Sequence, residues 1–84
     1  MNEVEETLRV LNNQIVIYQT KAKMMEETQN EFIQKCKSIL DEKHVTIITN
    51  MLKNTQDHYL ELAEKTIEAR QEILEKYHIQ NKEE

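Results

Sequence analysis

The sequence predicts an all-α fold, a long antiparallel hairpin of two helices. Three observations support this prediction. The chain has 84 residues and contains neither glycine nor proline, the residues that most often end helices. An apolar stripe with helical spacing runs through the first half, and a second stripe in a different phase runs through the second half. A mass of 10.1 kDa corresponds to a single domain over residues 1–84.

The first helix is predicted over about residues 3–40. Asn2 is a suitable N-cap, and Glu5, three residues later, can complete a capping box. The stripe that follows alternates steps of four and three residues, which is typical of a helix that packs one seam against a partner. Ten of its eleven positions are apolar. The stripe consists of Val4, Leu8, Leu11, Ile15, Tyr18, Ala22, Met25, Gln29, Phe32, Cys36 and Ile39.

The second helix is predicted over about residues 43–78, after a polar turn at about 41–44. Asp41 is a suitable N-cap for this helix. A new stripe in a different phase follows the turn and consists of Val45, Ile48, Leu52, Thr55, Tyr59, Leu62, Thr66, Ala69 and Ile73. The polar tail at 79–84 is expected to fray.

Two other helical arrangements stay open. Because no glycine or proline stops it, the chain could form one continuous helix of about 110 Å. A three-helix bundle would need a break near Thr28, where Thr28 to Glu31 has the pattern of a capping box. The five β-branched residues at 45–49 are typical of a strand, but a lone strand has no pairing partner. We therefore expect a helix there.

The hairpin has a predicted register. If the turn is centred between residues 42 and 43, residue i faces about residue 85 − i. Gln29, the polar position of the first stripe, then faces Gln56 and Thr55 of the second helix. A shared polar layer of this kind would fix the register.

Each helix also carries apolar residues beside its main stripe. These are Val10, Ile17 and Met24 on the first helix, and Leu60, Ala63 and Ile67 on the second. A two-helix hairpin covers only one stripe on each helix, and so small a core would be marginally stable alone. We therefore expect self-association into a four-helix bundle or coiled-coil-like oligomer, with a dimer favoured, or binding of a foreign protein.

The overall charge disfavours two classes of partner. The net charge is −5 and there is no basic patch, so direct binding of nucleic acid or of an anionic membrane is not expected. The N-terminus is acidic and no apolar run approaches the roughly 18 residues of a membrane span. The sequence therefore predicts a cytoplasmic protein, and its abundant Asn, Ile, Lys and Glu suggest an AT-rich bacterial or phage genome.

Acidic residues form the most regular polar pattern. They fall within about 80° of one face of the second helix over roughly 27 Å. This acidic row consists of Asp57, Glu61, Glu64, Glu68, Glu72 and Glu75. The ordinary interpretation is a solvated helix face, with ion pairs from Glu61 to Lys65 and from Glu72 to Lys76. The sharper interpretation is a docking face for a basic partner.

Residues suited to catalysis or metal binding are few. Without glycine there is no phosphate-binding loop, and one cysteine allows neither an internal disulfide nor a cysteine-rich zinc site. Cys36 lies on the apolar stripe, where packing is its expected role. Glu75 and His78 have the spacing of di-iron bundles but lack further inward-facing glutamates, and Asp41 with His44 lies in the turn. We predict no catalytic residue, cofactor or metal.

These observations predict a small non-enzymatic protein–protein interaction module: an adaptor, inhibitor or regulator, with a phage or mobile element as a candidate source. The first alternative is an acidic mimic of nucleic acid that occupies a DNA- or RNA-binding protein. The second, with least support, is a small helical enzyme or metal protein. The residues predicted to contact a partner are Val10, Ile17, Met24, Glu61, Glu64, Glu68 and Glu72.

Overall fold

The computed structural model describes residues 2–79, which form two long helices and contain no strand. Helix α1 spans Glu3–Cys36 and helix α2 spans Glu42–Lys76, and the two pack against each other. The all-α hairpin is therefore confirmed, and the continuous helix and the three-helix bundle are not what forms. The β-branched run at 45–49 is helical, as expected. The predicted tail falls mostly on residues 80–84, which lie outside the described residues.

Helix α1 begins as predicted. The side-chain oxygen of Asn2 accepts a hydrogen bond from the Glu5 backbone amide at 2.8 Å, and the Glu5 carboxylate accepts one from the Asn2 amide at 3.4 Å. This reciprocal capping box satisfies amides that have no partner within the helix. Three acidic residues in the first turn also face the positive end of the helix dipole.

Helix α1 ends at Cys36, about four residues before its predicted end. The reason lies in the next helix. Asp41 caps α2 by accepting a hydrogen bond from the Lys43 amide at 3.3 Å, with an extended ψ of 136°. Because Asp41 is already the cap, the chain must reverse before it, and residues 37–40 form that turn. Ile39, predicted to lie on the stripe, is consequently 83% exposed.

Helix α2 ends in a left-handed cap. His78 has φ of 54°, and the Ile79 amide donates to the Leu74 carbonyl at 2.9 Å. The His78 amide donates to the Glu75 carbonyl at 3.3 Å, which completes a Schellman motif. This is a position where glycine is usual, and the chain has none.

The register differs from the predicted one by about one helical turn. Arg70 donates a hydrogen bond to the Asn12 side chain at 2.9 Å, and the Lys21 ammonium lies 5.7 Å from the Tyr59 ring centre. Residue i therefore lies opposite about residue 81 − i, because the turn comes earlier than predicted. The proposed layer of Gln29 with Gln56 is wrong, since these residues are about one turn apart along the hairpin. The polar contact between the helices is Asn12 with Arg70.

The core follows the predicted stripe of α1 closely. Every position of that stripe from Val4 to Cys36 is buried or partly buried. Among the described residues, the buried core consists of Ile15, Ala22, Ala63 and Leu74.

The core departs from the predicted stripe of α2. Thr55 and Ala69 are exposed, whereas Ala63, which was placed on the additional stripe, is 4% exposed. Gln56 and Arg70, which the apolar pattern excludes, are partly buried. The α2 residues in the contact seam at these positions are therefore Gln56, Ala63 and Arg70, each one residue after a position of the predicted stripe.

The hairpin is an elongated rod of 56 × 20 × 16 Å. Its radius of gyration is 18.0 Å, whereas about 12 Å is expected for a compact chain of this length. Its accessible surface is 6720 Å², compared with about 5,300 Å² for a compact monomer of this mass. No helix within residues 2–79 is both long enough and apolar enough to cross a membrane.

Candidate functional site

The hairpin has two broad faces, and contacts between the helices show which edges share a face. Lys21 of α1 reaches across to Tyr59 of α2 on one face. On the same side, Glu3 and Thr7 of α1 line a cleft together with Ile73 and Lys76 of α2, among others. Glu3 and Lys21 are five full helical turns apart, so they lie on one edge of α1.

Exposed apolar side chains gather on this face. Val10, Ile17 and Met24 lie beside Lys21 on the edge of α1. On α2, Met51 and Ala69 lie five full turns apart, about 20° from Lys76. We define the apolar face by its exposed members, which are Val10, Ile17, Met24, Met51 and Ala69.

The exposure of the apolar face is considerable. Val10 and Ile17 are each 41% exposed, Met24 is 53% exposed and Met51 is 62% exposed. The opposite broad face, which holds the Asn12–Arg70 hydrogen bond, exposes Val16 and Leu60 among its large apolar residues. The additional apolar residues of α1, Val10, Ile17 and Met24, therefore form one edge of a larger surface that continues onto α2.

The acidic row lies on the side of α2 directly opposite the core, and all six members are exposed. The predicted ion pairs with Glu61 and Glu72 are not those that form. Lys65 pairs with Glu68 at 3.5 Å, while the Lys76 ammonium lies 5.5 Å from the Tyr77 ring centre. The row therefore keeps most of its charge turned to solvent.

Two further contacts engage members of the acidic row. Lys53 lies 3.9 Å from Asp57, and the Gln71 amide donates to Glu75 at 3.3 Å. Exposed pairs of this kind contribute little to stability. Ion pairing therefore does not account for the presence of six acidic residues on one face of α2.

The residues considered for chemistry do not converge. Cys36 is partly buried at the last position of α1. Asp41, the N-cap of α2, and His44, in its first turn, lie 4.0 Å apart and both are exposed, while His78 follows the C-terminal end of α2 in a left-handed conformation. Within residues 2–79, no group of three or more His, Cys, Asp or Glu is arranged to hold a metal ion.

One carboxyl group has a shifted pKa. Hydrogen bonds from Arg9, together with its positive charge, lower the pKa of the Glu6 carboxyl below its ordinary value. The two residues are three positions apart on α1, and both side chains are exposed. We assign it to local helix stabilisation.

Sequence reasoning missed part of the apolar face. Met51 and Ala69 were assigned to no interaction surface, because Ala69 was placed in the seam and Met51 lies outside both α2 stripes. The interval of eighteen residues between Met51 and Ala69, which is five helical turns, is the signal that could have identified them.

The comparisons with known proteins give no family. No protein-family model matches the chain, and no curated protein or solved structure matches it significantly. Its function must therefore be inferred from its own surfaces.

Proposed function

We propose that this chain is a small protein–protein interaction module, an adaptor, inhibitor or regulator that acts by binding and has no chemistry of its own. The observation behind this proposal is the imbalance between core and surface. Four described residues form the buried core, whereas ten large apolar residues are exposed. A helical rod that leaves ten large apolar residues exposed is suited to binding other proteins.

The two candidate surfaces suit different partners. The apolar face spans both helices, whereas the acidic row lies on α2 alone and points away from the core. The two surfaces adjoin at Glu72, which lines the cleft with Ile73 and Lys76, and are otherwise separate. We assign the foreign partner to the acidic row, because six exposed carboxylates within roughly 27 Å favour a basic protein surface.

The test is capture of a partner by the tagged chain from a nuclease-treated lysate of the source organism, compared between matched variants. The first carries Glu64→Gln, Glu68→Gln and Glu72→Gln. The control carries the same number of neutralised carboxylates on α1, at Glu26, Glu27 and Glu31. We expect the first variant to lose a stoichiometric partner that the wild type and the control retain.

Circular dichroism of both variants must show unchanged helicity, because the changed side chains are exposed. Equal retention of the partner by both triple variants would remove the acidic row as the binding surface. Equal loss by both would show that only the overall charge matters.

A second candidate function is mimicry of nucleic acid, in which the row occupies a DNA- or RNA-binding protein. The row carries about one charge per 5 Å of helix, compared with about one per 3.4 Å along one DNA strand. On this proposal, a duplex oligonucleotide competes with the chain for the captured partner, and Glu64→Lys, Glu68→Lys and Glu72→Lys together abolish inhibition. A partner with no affinity for the duplex would contradict mimicry and leave the interaction module standing.

We also propose a cytoplasmic setting in a bacterium or phage-infected cell. Identification of the captured partner as a cytoplasmic protein would support this setting.

A further inference from the structure

We infer that the apolar face is covered by a second copy of this chain, so that two hairpins pack face to face as a four-helix bundle. This inference deepens the proposed interaction role, but it concerns a different surface from the acidic row. The first reason is the amount of exposed surface. The accessible area exceeds that of a compact monomer by about 1,400 Å².

That excess is more than a stable dimer needs to cover on each chain. A standard protein interface removes about 800 Å² from each partner. Covering one broad face of a rod 56 Å long and 20 Å wide is sufficient for this. A dimer of this kind would therefore give each chain the burial that its thin core lacks.

The second reason is that the two helices carry matching rows of residues on this side of the hairpin. Val10, Ile17 and Met24 recur every seven residues on α1. On α2, Ala69, the partly buried Leu62 and the exposed, polar Thr55 recur every seven residues at the border between the core and the apolar face. In the observed register each residue of the first set lies nearly level with one of the second.

This match has a specific geometric consequence. A two-fold axis parallel to the helices places α1 of each copy over α2 of the other, with both turns at the same end. Val10 then meets the partner's Ala69, Ile17 meets the partner's Leu62, and Met24 meets the partner's Thr55. Each contact occurs twice, as a two-fold interface requires.

Charge favours the same arrangement. Stacking α1 over the partner's α2 puts the two acidic rows at opposite edges of the bundle. The alternative, with α2 stacked over the partner's α2 and the turns at opposite ends, places twelve carboxylates along one edge. Repulsion between like charges therefore disfavours that alternative.

Light scattering after size-exclusion chromatography tests the inference on the full chain. We expect wild type to elute with twice the 10.1 kDa chain mass at micromolar concentration. Ile17→Glu places a charge in the interface, so we expect it to weaken dimerisation by about 100-fold or more. The matched control is Val16→Glu, at the adjacent residue on the opposite face, and it should remain dimeric.

Each result has a stated meaning. A wild-type chain that stays at 10.1 kDa up to millimolar concentration would overturn the inference. Equal dissociation by Ile17→Glu and Val16→Glu would overturn the assignment of the face. If Ile17→Glu loses helicity, Met24→Glu takes its place, because Met24 is 53% exposed and tolerates a charge in the monomer.

The orientation is tested by the distance between two spin labels. A label is attached at Ser38→Cys, in the turn, with Cys36→Ser removing the native thiol. With both turns at one end we expect about 20–25 Å between labels. A distance near the 56 Å length of the rod would overturn this arrangement. Neither the oligomer mass nor the label distance depends on the foreign partner. A failure of the capture experiment can therefore be told apart from a failure of the dimer inference.

Discussion

The two helices have nearly equal length but distribute their apolar residues differently. On α1 every stripe position up to Cys36 faces α2, and the three additional apolar residues lie together on the apolar face. On α2 the single predicted stripe divides between two surfaces. Val45 and Leu52 are partly buried in the hairpin, while Thr55 and Ala69 are exposed.

This difference shows that a regular apolar stripe need not correspond to one interface. The core seam of α2 uses Gln56, Ala63 and Arg70, which lie one residue beyond the exposed or edge positions of the stripe. The stripe itself runs along the boundary between the core and the apolar face. The apolar stripe of α2 therefore borders both the core and the apolar face.

The largest expected effect compares two leucines of α2. Leu74 is 8% exposed and Leu60 is 48% exposed. Leu74→Ala creates a cavity, so we expect it to lower the free energy of unfolding by about 2–4 kcal/mol. Leu60→Ala should cost less than about 1 kcal/mol, because the side chain is already half in water. Urea denaturation measures both values, and equal losses would contradict the assigned core.

The second effect compares two alanines of α2 that sequence reasoning placed on the wrong surfaces. Ala63→Leu puts a large side chain between closely packed helices, so we expect a loss of about 1–3 kcal/mol. Ala69→Leu lies on the exposed apolar face and should leave the unfolding of the monomer nearly unchanged. Thermal unfolding by circular dichroism distinguishes them when both changes are made in the Ile17→Glu background, in which the dimer is weakened. A larger loss of stability for Ala69→Leu would mean that Ala69 lies in the contact seam, as the sequence predicted.

The fold was more predictable than the seam of α2. The helices, both N-caps and the α1 stripe follow from local patterns, because capping and heptad spacing act within a few residues. The register depends on where the turn ends, and a cap at Asp41 requires the reversal to precede it. Hydrophobicity does not identify Arg70 as a core-edge residue, since its placement depends on Asn12, 58 residues away.

The candidate surfaces were predictable in part. Val10, Ile17, Met24 and the acidic row are exposed as their spacing indicates, because position around a helix follows from residue number. The α2 half of the apolar face was not predictable, because it depends on which α2 residues the hairpin leaves uncovered.

The third effect compares the ends of the two helices. His78 has a left-handed backbone with φ of 54°, whereas the α1 cap at Lys37 is right-handed with φ of −56°. We expect His78→Gly to stabilise the fold by about 0.5–1 kcal/mol, since glycine has no Cβ to strain. Lys37→Gly should destabilise it by about 1 kcal/mol. Melting temperatures that move in the same direction would contradict this assignment.

The smallest effect is a pH dependence confined to α1. Because Arg9 lowers the pKa of Glu6, the charged form of Glu6 is stabilised in the folded state. This stabilisation is present above the ordinary carboxyl pKa and is lost as pH falls through the lowered value. NMR titration should show that the pKa of Glu6 rises towards its ordinary value in Arg9→Gln. An unchanged titration would show that Arg9 is not the cause.

The turn between the helices has a consequence for how copies of the chain recognise each other during folding. Among residues 37–41 none has a positive φ, and the Leu40 amide still donates to the Cys36 carbonyl at 2.9 Å, as in a continuing helix. The reversal therefore depends on few backbone torsions, including the extended ψ of 136° at Asp41. If that segment straightens, α2 of one molecule can occupy its place on α1 of another without loss of any interhelical contact. Exchange of α2 between copies would then increase with protein concentration and depend on the residue at position 41.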